Sequence, residues 1–190
     1  MTRFWWVRHG PTHAKGMVGW SDIAADLSDT AQIARLADYL PKGAPVISSD
    51  LSRAVATADA IAGTRTRLTH DPDLREINFG AWELLRSADI ERTDAERLRA
   101  FYETPGEVRP PQGESWDETS NRVSRGVERL LNSDAKDIIV VAHFGAILTQ
   151  VQRALHVTAY EAFAQRIDNF SVTQIQHDGH WHAGPINHIP

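Results

Sequence analysis

Short apolar runs recur along the chain, and stretches with helical spacing lie between them. The runs at residues 4–7, 45–48 and 137–142 are rich in aromatic or β-branched side chains, which predicts strands. The last run is apolar on both faces, as a central strand of a parallel sheet is. We interpret residues 67–70 as a further strand.

Helical spacing and capping residues predict helices between these strands. Ser28 is expected to be the N-cap of the first helix, and Pro41 follows its end. A second helix is expected to open at Ser49 and Asp50. Further helices are predicted at residues 88–102, 115–131 and 146–155.

The end of the chain predicts an antiparallel hairpin. Residues 171–175 and Trp181 have strand character, and Asp178 and Gly179 form a tight-turn dipeptide between them. Strands that alternate with helices are typical of an α/β fold. We therefore expect one domain over residues 1–190, built as a three-layer sandwich. Its central sheet should be mainly parallel, with helices on both faces.

Composition and charge exclude several classes of protein. A net charge of -5 argues against binding nucleic acid through bulk electrostatics, so an anion site has to be built from local cations. The absence of cysteine removes disulfides, thiolate metal sites and cysteine nucleophiles. The amino terminus lacks the apolar core of a signal peptide, and no apolar run is long enough to span a bilayer. The expectation is a cytoplasmic enzyme that binds neither nucleic acid nor a membrane.

Two histidines fall just past the carboxyl ends of predicted strands. His9 follows the first strand and His143 follows the last apolar one, at the edge where open α/β sheets bind ligands. Arg8 adjoins His9, and Arg53 lies near the start of a helix that follows another strand end. Guanidinium groups match phosphate geometry, and imidazoles supply nitrogen. These four side chains predict a pocket for a phosphate dianion.

The segments around these residues resemble the histidine phosphatase superfamily, which includes phosphoglycerate mutases and small phosphomonoesterases. Phe-Trp-Trp-Val-Arg-His-Gly-Pro-Thr at residues 4–12 is similar to the superfamily's signature. Further similar segments follow in the superfamily's order, at residues 19–22, 48–54, 74–83, 111–115 and 140–145. The resemblance covers nearly the whole chain.

The resemblance implies a covalent mechanism. His9 is expected to attack phosphorus and form a phosphohistidine, while Arg8, Arg53 and His143 bind the phosphoryl oxygens. Because these cations supply the positive charge, the resemblance implies neither a metal ion nor another cofactor. Glu76 holds the position of the superfamily's general acid.

Other site assignments are less direct. Glu83 is the nearby alternative to Glu76 as the acid. Gly19, in the loop after the nucleophile, belongs to the expected substrate-binding set. Lys15 is included there as well, because it stands where many members place an asparagine that contacts the phosphoryl group. The alternative for Lys15 is a side chain that points to solvent.

Two substitutions depart from the superfamily's pattern. Leu84 replaces a glycine that commonly follows the Trp-Glu pair, and Phe144 replaces the first glycine after the second histidine. Both bear on the range of substrates rather than on the class of reaction. Trp20 and Trp82 flank the expected site, where they either pack or influence specificity.

The resemblance leaves three activities to compare. The expected one is metal-independent hydrolysis of a small phosphorylated metabolite, with residues 78–111 as a partial lid. A phosphoglycerate mutase is the first alternative, which a compact chain of 190 residues disfavours. The second is a non-catalytic module that binds phosphoesters. The substrate can be a sugar phosphate, a nucleotide-derived phosphate or a phosphate of the cobalamin pathway. Histidines near the carboxyl terminus are interpreted as exposed hairpin residues rather than metal ligands.

Overall fold

A sheet of five strands forms the centre of the molecule. The computed structural model describes all residues, 1–190, and its strands are β1 (Thr2–Arg8), β2 (Val46–Ser48), β3 (Asp137–Ala142), β4 (Val172–His177) and β5 (Trp181–Ala183). Their order in the sheet is β2-β3-β1-β4-β5. Strands β1, β2 and β3 run parallel to one another. Strand β4 pairs antiparallel with β1, and β5 pairs antiparallel with β4. The three predicted parallel strands and the terminal hairpin are confirmed.

Side chains that alternate along the strands form two separate cores. Phe4 and Trp6 of β1 face one core, and Val7 faces the other. The core on the Val7 side is closed by α1 (Thr30–Tyr39) and α2 (Ser52–Ala62). The opposite core is closed by α3 (Ser87–Glu103), α4 (Trp116–Leu131), α5 (Phe144–Leu155) and α6 (Ala159–Phe163). This confirms the three-layer α/β sandwich with helices on both faces of a sheet whose centre is parallel.

Capping boxes set the start of two helices. Ser115 caps α4: its hydroxyl accepts from the Glu118 N–H at 3.2 Å, and the Glu118 carboxylate accepts from the Ser115 N–H at 2.8 Å. Thr158 and Glu161 repeat the arrangement at α6. The prediction missed α6 because five residues are too few to show helical periodicity. None of the six helices has the combination of length and apolarity that crossing a membrane requires.

The predicted strand at residues 67–70 is wrong. A single bridge joins Arg67 to Val46, with no further ladder. The partner strand β2 is only three residues long, and the backbone of residues 66–71 meets it through only three hydrogen bonds. The Arg67 guanidinium donates to the Val46 carbonyl at 2.9 Å and to the Ser48 hydroxyl at 3.3 Å. Apolar pattern alone does not distinguish such an edge from a strand.

Two helices begin later than predicted. The N-cap of α1 is Asp29 rather than Ser28, because the Asp29 carboxylate accepts a hydrogen bond from a first-turn N–H at 2.9 Å. The N–H of Ser28 is bound instead by the side chain of Asp26, at 2.9 Å. Helix α2 begins at Ser52, three residues after the expected opening. Neither shift changes the layer in which the helix lies.

Helix α5 begins earlier than predicted, at Phe144 rather than at residue 146. His143 has an extended backbone, with φ -127° and ψ 167°, and is itself the N-cap. The chain therefore passes from β3 to α5 without a loop. The first N–H groups of α5 lie immediately beside the histidine.

Residues 78–111 contain a short 3₁₀ turn and α3. The turn Gly80–Trp82 packs Trp82 edge-on against Phe101 of α3, with ring centroids 5.7 Å apart. Phe101 in turn packs against Phe163 of α6, at 6.1 Å. Helix α3 bends at Asp94, whose φ of -148° and ψ of 44° are not helical. The role of this segment as a partial lid stays a prediction.

Candidate active site

The strand ends bring the two predicted histidines together. The N–H of His9 donates to the carbonyl of Ala142 at 3.1 Å, which extends the pairing of β1 with β3 past the end of β1. His143 directly follows Ala142, the last residue of β3. Both side chains are buried, and their ring centroids are 5.0 Å apart. Parallel pairing of β1 with β3 is the reason for this proximity, because it places both carboxyl ends at one edge.

Contacts of the His9 ring define its tautomer. Nε of Arg53 lies 3.2 Å from Nε2 of His9, and a guanidinium can only donate. Nε2 is therefore unprotonated, and Nδ1 carries the hydrogen that it donates to the Gly10 carbonyl at 2.6 Å. Burial, together with the charges of Arg53 and Arg8, lowers the pKa of His9 to about 3. The ring is neutral at physiological pH, with its lone pair on Nε2.

Arg53 is held by carbonyl groups of the loop after β1. It is fully buried, and Nη1 donates to the Ser21 carbonyl at 2.8 Å. Nη2 donates to the Gly19 carbonyl at 2.5 Å. A Cβ on Gly19 would lie 2.2 Å from the Ile77 carbonyl oxygen, so this position has no room for a side chain. Gly19 thus contributes to the site by holding Arg53 in contact with His9.

Arg8 and His143 present buried polar atoms without partners. Nη1 of Arg8 donates to the Ile167 carbonyl at 2.6 Å, but its Nε has no partner. Both ring nitrogens of His143 are also buried and unpartnered. Burial, followed by the charges of His9 and Arg53, holds the pKa of His143 well below its usual value. Buried polar groups normally have partners, so these atoms are expected to bind a ligand.

Glu76 lies at the amino end of α5. Its carboxylate accepts hydrogen bonds from the N–H groups of Gly145 at 3.0 Å and Ala146 at 3.2 Å, and from its neighbour Ile77 at 2.9 Å. A Cβ on Gly145 would lie 2.5 Å from Oε1 of Glu76, so the glycine allows this approach. Burial raises the pKa of Glu76, although the backbone donors and the arginines oppose the shift. A raised pKa suits a group that donates a proton.

Glu83 has a different environment. Its Oε1 accepts from the N–H groups of Trp20 at 2.7 Å and Phe79 at 3.2 Å. Its Oε2 accepts from the N–H of Gly19 at 3.1 Å and from both the N–H and the hydroxyl of Ser21, at 3.3 and 2.7 Å. Four of these five bonds fold the loop at residues 19–21, whose carbonyls hold Arg53. We therefore retain Glu76 as the proposed acid and regard Glu83 as the residue that organises the loop.

A cavity of about 210 Å³ lies at the sheet edge. Its lining residues are Arg8, His9, Thr12, Ala14, Gly16, Val18, Glu76, Phe79 and Phe144. Arg53 adjoins the cavity through its contact with His9. Lys15 is exposed and is not part of the lining, and neither is Gly19. The predicted contact of Lys15 with a phosphoryl group would therefore need its side chain to turn inward, and it stays a prediction.

Leu84, one of the two departures from the superfamily's pattern, has a left-handed backbone with φ 63°. Glycine adopts this conformation without strain, whereas leucine does not. The N–H of Leu84 donates to the Met17 carbonyl at 2.7 Å, and the Met17 N–H donates to the Leu85 carbonyl at 2.9 Å. These bonds join residues 83–85 to the segment that lines the cavity.

Several further residues support the site: Trp20 was expected to flank it, whereas Asn169 was not identified from the sequence. The indole N–H of Trp20 donates to the carbonyl of Glu76 at 2.8 Å, and the Arg75 guanidinium lies 4.7 Å above the same ring. The Asn169 amide donates to the carbonyl of His9 at 2.7 Å, and the hydroxyl of Thr57 accepts from the Gly10 N–H at 3.0 Å. Asn169 is 160 residues from His9, and no local pattern connects them.

Comparison with known proteins agrees with this geometry. A family model described as histidine phosphatase superfamily (branch 1) matches residues 4–183. An adenosylcobalamin/alpha-ribazole phosphatase of Salmonella typhimurium is 31% identical over 173 residues, which are 87% of this chain and 86% of that protein. A bifunctional protein of Mycobacterium tuberculosis is 30% identical over 94% of this chain, but the chain spans only about half of its length, 51%. The solved structure of a mycobacterial glucosyl-3-phosphoglycerate phosphatase has a TM-score of 0.86 at 26% identity and covers 100% of both chains.

Fold and site together define a class of α/β sandwich with paired histidines and arginines at the carboxyl edge of a parallel sheet. Within that class, the chain belongs to the histidine phosphatase superfamily, because the family model covers nearly all of it. The resemblance that the sequence motifs indicated is confirmed.

Proposed function

We propose that this chain hydrolyses small phosphomonoesters through a phosphohistidine on Nε2 of His9, without a metal ion. The observation that carries the proposal is the state of His9, whose Nε2 faces Arg53 and cannot hold a proton there. Buried donors without partners on Arg8 and His143 lie around the same ring. The phosphatases of Salmonella and mycobacteria that the chain resembles support hydrolysis as the reaction.

In the first step Nε2 releases the hydrogen bond from Arg53, and its lone pair attacks phosphorus. A P–N bond forms while the P–O bond to the leaving group breaks, and the electron pair of that bond goes to the ester oxygen. Glu76, with its raised pKa, gives its proton to this oxygen, so that a neutral alcohol leaves. The hydrogen of His9 stays on Nδ1 and is donated to the Gly10 carbonyl, which stabilises the positive charge of the ring.

In the second step water attacks the phosphohistidine. Glu76 is now ionised and takes a proton from the water, and the P–N bond breaks with its electron pair returning to Nε2. Inorganic phosphate leaves, and His9 and Glu76 return to their starting states. Throughout, the guanidiniums of Arg8 and Arg53 are expected to neutralise charge on the phosphoryl oxygens, and His143 donates as a neutral ring.

Trapping the intermediate tests the proposal. After rapid mixing with a ³²P-labelled ester and a denaturing alkaline quench, we expect a label that is stable to alkali, lost in acid and located on His9. The variant His9→Ala should lose turnover and label together, because it removes the nucleophilic nitrogen that lies against Arg53. Its circular dichroism spectrum should stay unchanged. EDTA should leave the rate unchanged.

Three results would contradict the proposal in different ways. A label on His143 would exchange the roles of the two histidines. Loss of activity on chelation, restored by a divalent ion, would show that a metal is required. Conversion of 3-phosphoglycerate without net phosphate release would favour the mutase, whereas vanadate binding without turnover of p-nitrophenyl phosphate would favour the non-catalytic module.

A further inference from the structure

We propose that the leaving group of the preferred substrate is apolar and flat, an aryl or arylalkyl alcohol rather than a sugar or another polyol. This inference rests on the proposed phosphatase activity and concerns the part of the cavity that the chemistry does not use. Arg8, His9 and Glu76 line the reacting end. The rest of the lining receives the alcohol part of the ester, and its chemistry determines which alcohols fit.

The part of the lining that the chemistry does not use has four apolar side chains and one polar one. It consists of Ala14, Val18, Phe79 and Phe144, together with Gly16 and one polar side chain, Thr12. A sugar brings several hydroxyl groups into such a cavity, and Thr12 can satisfy only one or two of them. Each hydroxyl that loses water without gaining a partner costs about 1–3 kcal/mol. An apolar alcohol has no such cost and removes apolar surface from water.

Three polar side chains near the cavity, those of Glu83, Trp20 and Arg75, already have hydrogen-bond partners. The carboxylate of Glu83 accepts five hydrogen bonds from the loop and Phe79. The indole N–H of Trp20 is bound to a carbonyl, and Arg75 is paired with Asp50 at 2.6 Å. None of these groups is free to recognise a sugar hydroxyl. Among the lining residues, Thr12 is therefore the only hydroxyl side chain that can recognise one.

Phe144 supplies a flat surface at a fixed place. It is the first residue of α5 and follows His143 directly, so its backbone is held at the reacting end. Its ring lies 5.4 Å from the guanidinium carbon of Arg8, and it is only partly buried. Phe79 is also partly buried and has its one aromatic contact, at 6.2 Å, with Phe101. A planar leaving group between these rings would gain about 0.5–1.5 kcal/mol from aromatic contact beyond its area burial.

A pair of esters with equally basic leaving groups tests the inference. 2-Phenylethyl phosphate and glycerol 1-phosphate are both primary alkyl esters, so they need a general acid to a similar degree and differ mainly in polarity. We expect kcat/KM of the wild-type protein for the phenylethyl ester to exceed that for the glycerol ester by about tenfold or more. In Phe144→Ala this ratio should fall by about 3- to 10-fold, mainly through a higher KM for the phenylethyl ester.

Two further variants make the test specific. Phe79→Leu should lower the ratio in the same direction, which keeps the test usable if Phe144→Ala folds poorly. Tyr160→Ala removes an aromatic side chain that is 59% exposed on α6 and should leave the ratio unchanged.

A wild-type ratio near one, or in favour of glycerol 1-phosphate, would overturn the inference and leave the phosphatase intact. A ratio that neither phenylalanine variant changes would overturn the assignment of these rings. Failure to hydrolyse either ester, with p-nitrophenyl phosphate also untouched, would overturn the proposed function and this inference with it.

Discussion

The two walls of the cavity hold their functional side chains in different ways. The strand-end wall carries Arg8 and His9, which end and directly follow β1, and the buried His143 follows β3 next to His9. Six residue pairs between these two strands fix its backbone. The loop wall consists of residues 12–21 and 75–85, which contain no strand. Side chains and single backbone contacts hold the loop wall together.

Glu83 is the main connection within the loop wall. Four of its five hydrogen bonds fold residues 19–21, and the fifth comes from the N–H of Phe79. The carbonyls of Gly19 and Ser21 in this loop hold Arg53 against His9. A backbone ladder tolerates changes of side chain, whereas a loop that depends on one carboxylate does not. We therefore expect single substitutions in the loop wall to impair catalysis without unfolding the protein.

The largest effect within the loop wall is expected at Glu76. General acid catalysis typically contributes about 10²–10⁴-fold, so Glu76→Gln should lose most of that factor on alkyl phosphates. The loss should be much smaller on p-nitrophenyl phosphate, because its phenolate leaves without needing a proton. Rapid-quench measurement of the phosphorylation step on both esters checks this. Equal losses would mean that Glu76 only positions other groups.

A smaller and differently shaped effect is expected at Glu83. In Glu83→Gln one accepting oxygen becomes an NH₂ group that faces N–H donors, so the loop and Arg53 should shift. We expect a loss of about 10- to 100-fold in the phosphorylation rate, equal for alkyl and aryl esters. The pKa of His9, followed by NMR of its ring, should rise because Arg53 now lies farther away.

The control for Glu83 is Glu96→Gln, an exposed glutamate of α3. It should change neither the rate nor the pKa of His9. If Glu83→Gln lowered the rate with the pKa of His9 unmoved, Glu83 would act on the fold in general and not through Arg53.

The strand-end wall should be visible in the pH dependence of stability. The pKa of His9 is about 3 in the folded protein and near 6.5 in the unfolded chain, so the unfolded chain binds more protons between these values. The free energy of unfolding should therefore decrease as pH falls from 6.5 toward 3. In His9→Asn the decrease should be smaller, as measured by urea denaturation at several pH values. Identical slopes would place the pKa of His9 near its ordinary value.

The smallest effect is expected at Leu84, where the loop wall contains local strain. Its left-handed φ costs about 1–2 kcal/mol for an L-residue, and its side chain is 53% exposed. Leu84→Gly should raise the free energy of unfolding by less than about 1 kcal/mol, after the larger entropy of unfolded glycine is counted. The neighbouring Leu85→Gly, at 40% exposure and without a positive φ, should lower it instead. A decrease in both variants would contradict the strain.

The sequence was sufficient for the three parallel strands, the terminal hairpin and the histidines at the sheet edge, although it also predicted a strand at residues 67–70 that does not form. Strand β3 was predicted with its observed bounds, because a short apolar run rich in β-branched residues is typical of a buried strand. His9 and His143 were assigned to one edge because parallel strands end at the same side of a sheet. Motif order identified the superfamily, and the comparison over residues 4–183 agrees.

The sequence preferred Glu76 to Glu83 as the acid through the superfamily's pattern, and only the tertiary structure showed how their surroundings differ. Their roles depend on what surrounds them: Glu76 meets the amino end of α5, about 70 residues away, and Glu83 meets the loop at Gly19, about 64 residues away. The sequence also suggested Lys15 as a contact, yet its side chain is exposed. Local sequence determines which residues end a strand or cap a helix. Which buried atoms lack partners, and which carboxylate is occupied, depends on distant segments packing against each other, and no local pattern records that packing.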